Sequence, residues 1–212
     1  MEGDKEMKKI FLSLLLLSSI ISIPLVSQAN IYDPSPADSH TVLTSYNTDS
    51  PEGKIPLILI HGWLGTSGYW DNFINYFYSN QLDQKFKLYL FFYDSNVYTV
   101  WEIGRSLRNK LDDAIDCSEG RGCIGETAIQ DVPFVILAHS MGGLIARSYM
   151  SQHSHYTGNY NNQRGGERIS KLITLATPHH GTPIANGDAR FSLFLDPMWW
   201  SLAELIDVFI LV

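Results

Sequence analysis

The sequence predicts an α/β fold, a mostly parallel sheet with helices packed on both of its faces. Several short runs, such as Ile55–Ile60, are apolar throughout, which indicates strands that are buried on both sides. Segments with apolar residues at i, i+3, i+4 and i+7 lie between these runs and predict amphipathic helices. Strands that alternate with helices in this way favour right-handed crossovers within a parallel sheet.

The strands and helices can be placed in order along the chain. Residues 30–54 are polar and contain prolines and a glycine, so we expect an irregular lead-in in which His40 is exposed. The predicted strands are Ile55–Ile60, 88–93, 134–138 and 171–176. Apolar stripes over 70–77 and 100–115 predict two helices, and a third helix runs from about 141 to Met150.

The polar side chains on these elements are expected to cap a turn or to face water rather than to take part in catalysis. Asp94 ends the second strand, where capping a turn is favoured over a role in catalysis. The charged residues of the second helix, such as Arg105, Arg108 and Asp112, are expected to face water, because the apolar stripe lies on the other side.

A serine lies at the junction between the third strand and the third helix. The sequence there is Ala138-His139-Ser140-Met141-Gly142, a variant of the G-x-S-x-G nucleophile elbow with alanine first. The residues two before and two after the serine must be small, because strand and helix almost touch at such a turn. Ser140 is therefore the candidate nucleophile, and the Met141 N–H is a candidate oxyanion donor. The alternative is an ordinary strand–helix junction with a chance serine.

Two further strands end in glycine-containing turns. Ile55–Ile60 is followed by H-G-W-L-G, in which the Trp63 N–H is the second candidate oxyanion donor. His61 precedes this loop, and we expect its side chain to hold the loop by hydrogen bonds rather than act as a base. The last strand is followed by T-P-H-H-G-T-P, where His179 and His180 are expected to be structural or pocket-lining.

The segments I-H-G-W-L-G, A-H-S-M-G-G and L-A-T-P-H-H-G-T-P together resemble secreted bacterial lipases and esterases of the α/β-hydrolase superfamily. Their order and spacing match across about residues 55–185. The resemblance implies an α/β-hydrolase-type sheet and a serine hydrolase that cleaves carboxylic esters, with lipid esters favoured, through an acyl-enzyme on Ser140. It implies no metal and no cofactor. Tyr69 and Trp70 are then either core residues or part of an acyl pocket.

The family pattern also requires an acid and a histidine on loops after later strands. The sequence as far as Val212 shows no such strands, so we expect the C-terminal strands, the acid and the base to be missing. Asp188 and Asp196 are less favoured candidates for the acid. Two alternatives remain open. One is a hydrolase or acyltransferase of the same fold with another acyl substrate, and the other is a non-catalytic fragment.

Residues 1–29 have the pattern of a secretory signal peptide. A basic start is followed by an apolar run and by Ser27-Gln28-Ala29, a small-x-small cleavage site. The prediction is a secreted or periplasmic protein whose α/β-hydrolase domain occupies residues 30–212. The alternative is an uncleaved membrane anchor, although the apolar run is shorter than the roughly 20 residues that a membrane span needs.

The net charge, the two cysteines and the apolar segment 188–212 each support a further expectation. The net charge of −7 over 212 residues argues against a nucleic-acid partner. In an exported protein, Cys117 and Cys123 are expected to form a local disulfide, with two free thiols as the alternative. The strongly apolar segment 188–212 resembles a lid that contacts a lipid surface, and a core helix or a segment that pairs with further chain is the alternative.

Overall fold

The computed structural model describes residues 34–120, 127–154 and 163–181, and these form a five-stranded sheet. The strands are β1 (Thr41–Ser45), β2 (Ile55–Ile60), β3 (Phe86–Tyr93), β4 (Phe134–His139) and β5 (Ile169–Leu175). Their order across the sheet is β1-β3-β2-β4-β5. β1 runs antiparallel to β3, and every other neighbouring pair is parallel. The predicted mostly parallel sheet is therefore confirmed.

Four α-helices accompany the sheet in the described ranges. They are α1 (Asp71–Ser79), α2 (Val100–Ser118), α3 (Met141–Met150) and the short α4 (Gly165–Arg168). Short 3-10 helices occupy Asp38–His40, Ser67–Trp70 and Leu82–Gln84. α2 begins with a capping box, in which the Thr99 hydroxyl accepts from the Glu102 N–H and the Glu102 carboxylate accepts from the Thr99 N–H. The predicted helices are confirmed, except that Trp70 ends the preceding 3-10 turn.

The alternating side chains of β2 show how helices cover both faces of the sheet. Ile58 and Ile60 pack in one apolar cluster with side chains of α2 and α3, such as Leu107 and Ile145. Leu57 and Leu59 point the other way, into a second cluster that contains Ile74 and Phe77 of α1. Because both faces are covered, β2 needs apolar residues at every position, which is why the run is unbroken.

The lead-in is not irregular throughout, because β1 extends the sheet beyond β3. Thr41 and Leu43 of this strand are buried and Val42 between them is exposed, as expected of an edge strand with one covered face. The Thr41 hydroxyl lies 2.5 Å from the Ser106 hydroxyl of α2. Two threonines and a serine make this strand polar in sequence, so its pairing with β3 gives no apolar run. His40 is exposed, as predicted.

The expectation that the charged face of α2 meets water is wrong. Arg108 is 4% exposed and Asp112 is 1% exposed, while Arg105 is partly buried. Asp112 forms a buried ion pair with Arg168, at the end of α4. Arg108 donates from Nη2 to the Asn109 Oδ1 over 2.8 Å. Arg168, directly before β5, thus packs on the polar side of the helix, a tertiary contact that periodicity does not reveal.

Several predictions fall on other parts of the chain. The signal peptide (1–29), Cys123, the lid-like segment 188–212 and the candidate acids Asp188 and Asp196 lie outside the described residues. Cys117 is disulfide-bonded. Among the helices of the described ranges, none combines the length and the apolar content that a membrane crossing requires.

Candidate active site

The candidate site lies where the order of the strands reverses. From β2 the chain crosses to β3 on one side, and from β3 it crosses over to β4 on the other side of β2. The carboxyl ends of β2 and β4 therefore border a topological switch point, the place where open α/β sheets bind their ligands. The loop that contains Trp63 follows β2, and Ser140 follows β4 directly.

Ser140 lies in a strained turn between β4 and α3. Its φ of 49° and ψ of −121° place a non-glycine residue in a region that costs on the order of 1–3 kcal/mol. The Ser140 N–H donates to the Leu175 carbonyl of β5 over 2.8 Å, and its carbonyl accepts from the Gly143 N–H over 3.1 Å. Backbone bonds on both sides thus stabilise the turn, and the serine remains partly exposed to a reactant.

Gly142 lets the start of α3 lie directly against β2. A Cβ added at this glycine would lie 2.6 Å from the Ile60 carbonyl oxygen and would also collide with the carbonyl oxygen of His61. Real Cβ atoms essentially never approach other atoms within 3.0 Å, so only glycine fits here. Ala138, on the strand side of the turn, is completely buried. The small residues that the elbow pattern requires are thus explained by close contact.

The loop after β2 touches the serine turn. A Cβ added at Gly62 would lie 2.9 Å from the Ser140 Cβ and 2.8 Å from the His139 Nδ1. Trp63 follows Gly62, and Met141 follows Ser140, so their amides belong to the two backbone segments that meet here. Within the described part of the chain, neither of these two amides donates a hydrogen bond.

His61 holds this loop in place. Its Nε2 accepts the Tyr93 N–H over 3.3 Å, so the ring hydrogen lies on Nδ1, which donates to the Gly62 carbonyl over 2.7 Å. The ring stacks on Tyr93 with centroids 4.1 Å apart, and the Tyr93 hydroxyl donates to the His61 carbonyl. Burial lowers the pKa of His61, although the bond to Gly62 opposes the shift. A neutral ring with both nitrogens engaged has the loop-holding role predicted for it.

The third turn packs against the helix that follows the serine. A Cβ added at Gly143 would lie 2.7 Å from the Thr177 Cγ2, so Thr177 fills the space beside the glycine. Arg147 of α3 donates to the His179 Nδ1 over 3.2 Å, which leaves the hydrogen on Nε2, 3.1 Å from the Thr174 hydroxyl. The predicted structural role of His179 therefore agrees with its contacts.

Tyr69 forms one wall beside the serine turn. Its ring centroid lies 5.1 Å from that of His139, the residue before Ser140. Burial raises the pKa of Tyr69 to about 12, so the phenol keeps its proton at neutral pH. Burial lowers the pKa of His139, and electrostatic coupling to the neighbouring His61 lowers it further. Trp70 is buried in the core beside Phe73, so of the two aromatic candidates Tyr69 is the one next to the site.

Two residues at the site, Ser95 and Asn96, were not predicted from the sequence. The Leu64 N–H donates to the Ser95 hydroxyl over 2.9 Å, and the Trp63 indole donates to the Asn96 Oδ1 over 2.9 Å. Ser95 and Asn96 lie in the loop after β3. In this loop Asp94 caps the turn by accepting the Asn96 N–H over 3.0 Å, as predicted for that aspartate. The sequence signal that could have identified this pair is its position, because the loop after β3 also follows the carboxyl end of a parallel strand. Across the described ranges, no three His, Cys, Asp or Glu side chains are grouped to hold a metal ion.

A family model described as the PGAP1-like alpha/beta domain matches residues 52–203. The chain belongs to this family. With its parallel sheet and strained serine turn, this PGAP1-like domain is a member of the α/β-hydrolase superfamily and has the α/β-hydrolase fold. The match includes β2 to β5 and all three turns described above.

Solved structures resemble this PGAP1-like domain at low identity. The mature lipase BlEst2 of Bacillus licheniformis is 19% identical with a TM-score of 0.49, over 81% of this chain and 58% of that one. A hydrolase from Pseudomonas aeruginosa PA01 is 17% identical with a TM-score of 0.44, over 78% and 52%. Alpha/beta hydrolase domain-containing protein 10 from mouse is 16% identical with a TM-score of 0.37, over 73% and 54%. The chain thus spans little more than half of these proteins. No curated protein matches it.

Proposed function

We propose that this protein hydrolyses carboxylic esters through an acyl-enzyme on Ser140. The observation that carries the proposal is the meeting of two backbone segments at the switch point. One segment presents a partly exposed serine in a strained turn, and the other touches that serine through Gly62. In this reaction the Ser140 Oγ attacks the ester carbonyl, the alcohol leaves, and water then releases the acid from the acyl-serine.

The negative oxygen that forms during the attack needs donors that are already in place. The Met141 and Trp63 amides are the donors proposed here, because within the described part of the chain both are without an acceptor. Losing one such donor typically raises the barrier by about 3 kcal/mol. The attack also needs a base. Both ring nitrogens of His61 and of His179 are engaged in hydrogen bonds, so we assign the base to neither.

Lipid esters are the substrate class that we favour. Trp63 and Leu64 expose 40% and 45% of their surface in the loop that touches the serine turn through Gly62, and Tyr69 adds an aromatic wall. Such a rim suits an acyl chain better than it suits a charged substrate. The proposal extends to export by a signal peptide at residues 1–29, hence a secreted or periplasmic location, and to lipid-surface contact through the apolar segment 188–212.

Labelling with a fluorophosphonate probe tests the proposal, because the probe forms a covalent bond with an activated serine. We expect the full-length wild-type protein to be labelled and Ser140→Ala not to be. Ser151→Ala is the matched control, since it removes an exposed hydroxyl at the far end of α3, and it should be labelled like the wild type. Labelling of Ser140→Ala would show that another serine reacts, and an unlabelled wild type would refute the hydrolase.

A panel of esters with increasing acyl length then tests the substrate class. We expect turnover to rise from short to medium or long chains, because the apolar rim gains contact with each added methylene. Turnover of thioesters or amides in preference to every oxygen ester would favour a different acyl substrate. No turnover of any ester, together with an intact but unreactive Ser140, would favour a non-catalytic domain.

A further inference from the structure

We infer that Ser95 and Asn96 are positioning residues that hold the proposed oxyanion loop. We refer to this pair as the clamp. Ser95 accepts the Leu64 N–H, and Asn96 accepts the Trp63 indole N–H, each over 2.9 Å. Two consecutive residues of one loop thus bind two consecutive residues of the other. The catalytic consequence of this inference rests on the proposed function, whereas the mechanical role of the clamp does not.

The loop needs such a clamp because apolar packing does not fix its tip. Trp63 and Leu64 are large apolar residues, yet both are exposed. Leu64 also has a φ of 59°, in the left-handed region that favours glycine. The hydrogen bond of His61 fixes the carbonyl of Gly62, and the Gly65 N–H donates to that same carbonyl over 3.1 Å. Both of these bonds act at the base of the turn, so the tip is left to the clamp.

The clamp also binds only one of the two neighbouring amides of the tip and leaves the other one free to donate. Ser95 engages the Leu64 N–H, while the Trp63 N–H has no acceptor within the described part of the chain. Without the serine hydroxyl, the peptide between Trp63 and Leu64 can rotate out of its strained conformation. The Trp63 N–H belongs to the same planar peptide as the Gly62 carbonyl, which the His61 and Gly65 bonds hold, so the rotation displaces this amide through the shared Trp63 Cα rather than turning it. Asn96 opposes that rotation by fixing the tryptophan side chain.

The clamp is itself held rigidly. The Asp94 carboxylate accepts the Asn96 N–H over 3.0 Å, which closes an Asx turn directly after β3. The capping box of Thr99 and Glu102 fixes the start of α2, and its Thr99 lies three residues after Asn96. A rigid support is what a positioning residue requires, because a displacement of about 1 Å in a reacting group can lower the rate about 100-fold.

Hydrogen exchange on the full-length protein tests the mechanical role whether or not the protein is an esterase. We expect Ser95→Ala and Asn96→Leu to speed exchange in peptides that cover residues 61–66, while exchange in β4 stays unchanged. Ser95→Thr keeps the acceptor and should protect the loop. Ser50→Ala and Asn80→Leu are matched controls, because these exposed side chains make similar local bonds elsewhere. Unchanged exchange in both clamp variants would overturn the inference.

Steady-state kinetics test the catalytic consequence. For Ser95→Ala and Asn96→Leu we expect kcat to fall about tenfold with KM changed little, because the loss falls on the transition state. Ser95→Thr should restore kcat, and inhibition by a trifluoromethyl ketone that forms a tetrahedral adduct should weaken in parallel with kcat. Equal loss in the control variants, or a rise in KM alone, would refute a positioning role. A wild type without Ser140-dependent labelling would refute the esterase, while hydrogen exchange still decides the clamp.

Discussion

Replacing Gly142 by alanine adds a methyl group between α3 and β2, at a close contact between the serine turn and the backbone of β2. The new Cβ would lie 2.6 Å from the Ile60 carbonyl oxygen and 3.0 Å from its carbonyl carbon, and it would collide with the His61 carbonyl oxygen as well. These atoms belong to the backbone of Ile60, the last residue of β2, and of His61, which follows it. No side-chain rotation can therefore relieve the contact. Either α3 must move away from the sheet or β2 must bend.

The magnitude follows from two opposing effects. Overpacking a tight site destabilises a protein by about 1–3 kcal/mol, and contacts with fixed backbone belong at the upper end of that range. Alanine is a better helix former than glycine by about 1 kcal/mol, and Gly142 is the second residue of α3. The balance is a loss of about 2 kcal/mol in the free energy of unfolding. For a domain of this size that corresponds to a fall in Tm of about 4–8 °C.

Gly166→Ala is the matched control for this experiment. It makes the same chemical change near the start of another short helix, α4, where the added Cβ would meet Met150 at 3.4–3.6 Å, an ordinary contact. We expect Gly166→Ala to leave Tm unchanged or slightly raised and Gly142→Ala to lower it. The assay is thermal unfolding followed by circular dichroism, with fluorophosphonate labelling at a lower temperature. A Gly142→Ala variant as stable as the wild type would refute the close contact between the turn and β2.

Two further predictions concern buried charges and pH. Asp112→Asn removes the carboxylate from the buried ion pair with Arg168, so we expect a loss of about 3–5 kcal/mol by urea unfolding. Asp112→Leu combined with Arg168→Met should recover most of that loss. If Asp112→Asn alone were as stable as the wild type, the buried ion pair would be contradicted. Burial lowers the pKa of His61, so the folded state resists protonation. The stability that His61 contributes is complete above its unfolded pKa of about 6.5 and is lost as the pH falls through its lower folded pKa. Tm should therefore fall on acidification from about pH 7.5 to about pH 5, less steeply in His61→Gln than in the wild type. Parallel profiles would exclude this histidine as a source of the pH dependence.

Much of the fold could be predicted because local patterns in the sequence determine it. β2 is apolar at every position because both of its faces are covered, so Ile55–Ile60 is predicted with its observed bounds. The serine turn could be found for a different reason, since Ala138, Ser140 and Gly142 stand together in one short motif, although the contact that requires Gly142 is with Ile60 and His61, more than 80 residues earlier. Features whose residues lie together in one short stretch leave a readable pattern.

The features that were missed depend on partners far along the chain. β1 is polar and forms only because β3 offers its edge. Asp112 has the helical position of a solvated residue, and its burial follows from Arg168, 56 residues later. The clamp of Ser95 and Asn96 lies 31 and 33 residues from its partners, in an ordinary-looking polar turn. No periodicity or motif marks such pairs, so the structure was needed to identify them.

A crystal structure of the protein after reaction with a fluorophosphonate tests the central claim most directly. The phosphonyl group imitates the tetrahedral intermediate, and its free oxygen takes the place of the oxyanion. We predict a covalent bond to the Ser140 Oγ and the phosphonyl oxygen at about 2.7–3.1 Å from the amide nitrogens of both Trp63 and Met141. An adduct on another residue, or an oxygen that faces solvent while these amides bind other acceptors, would contradict the account.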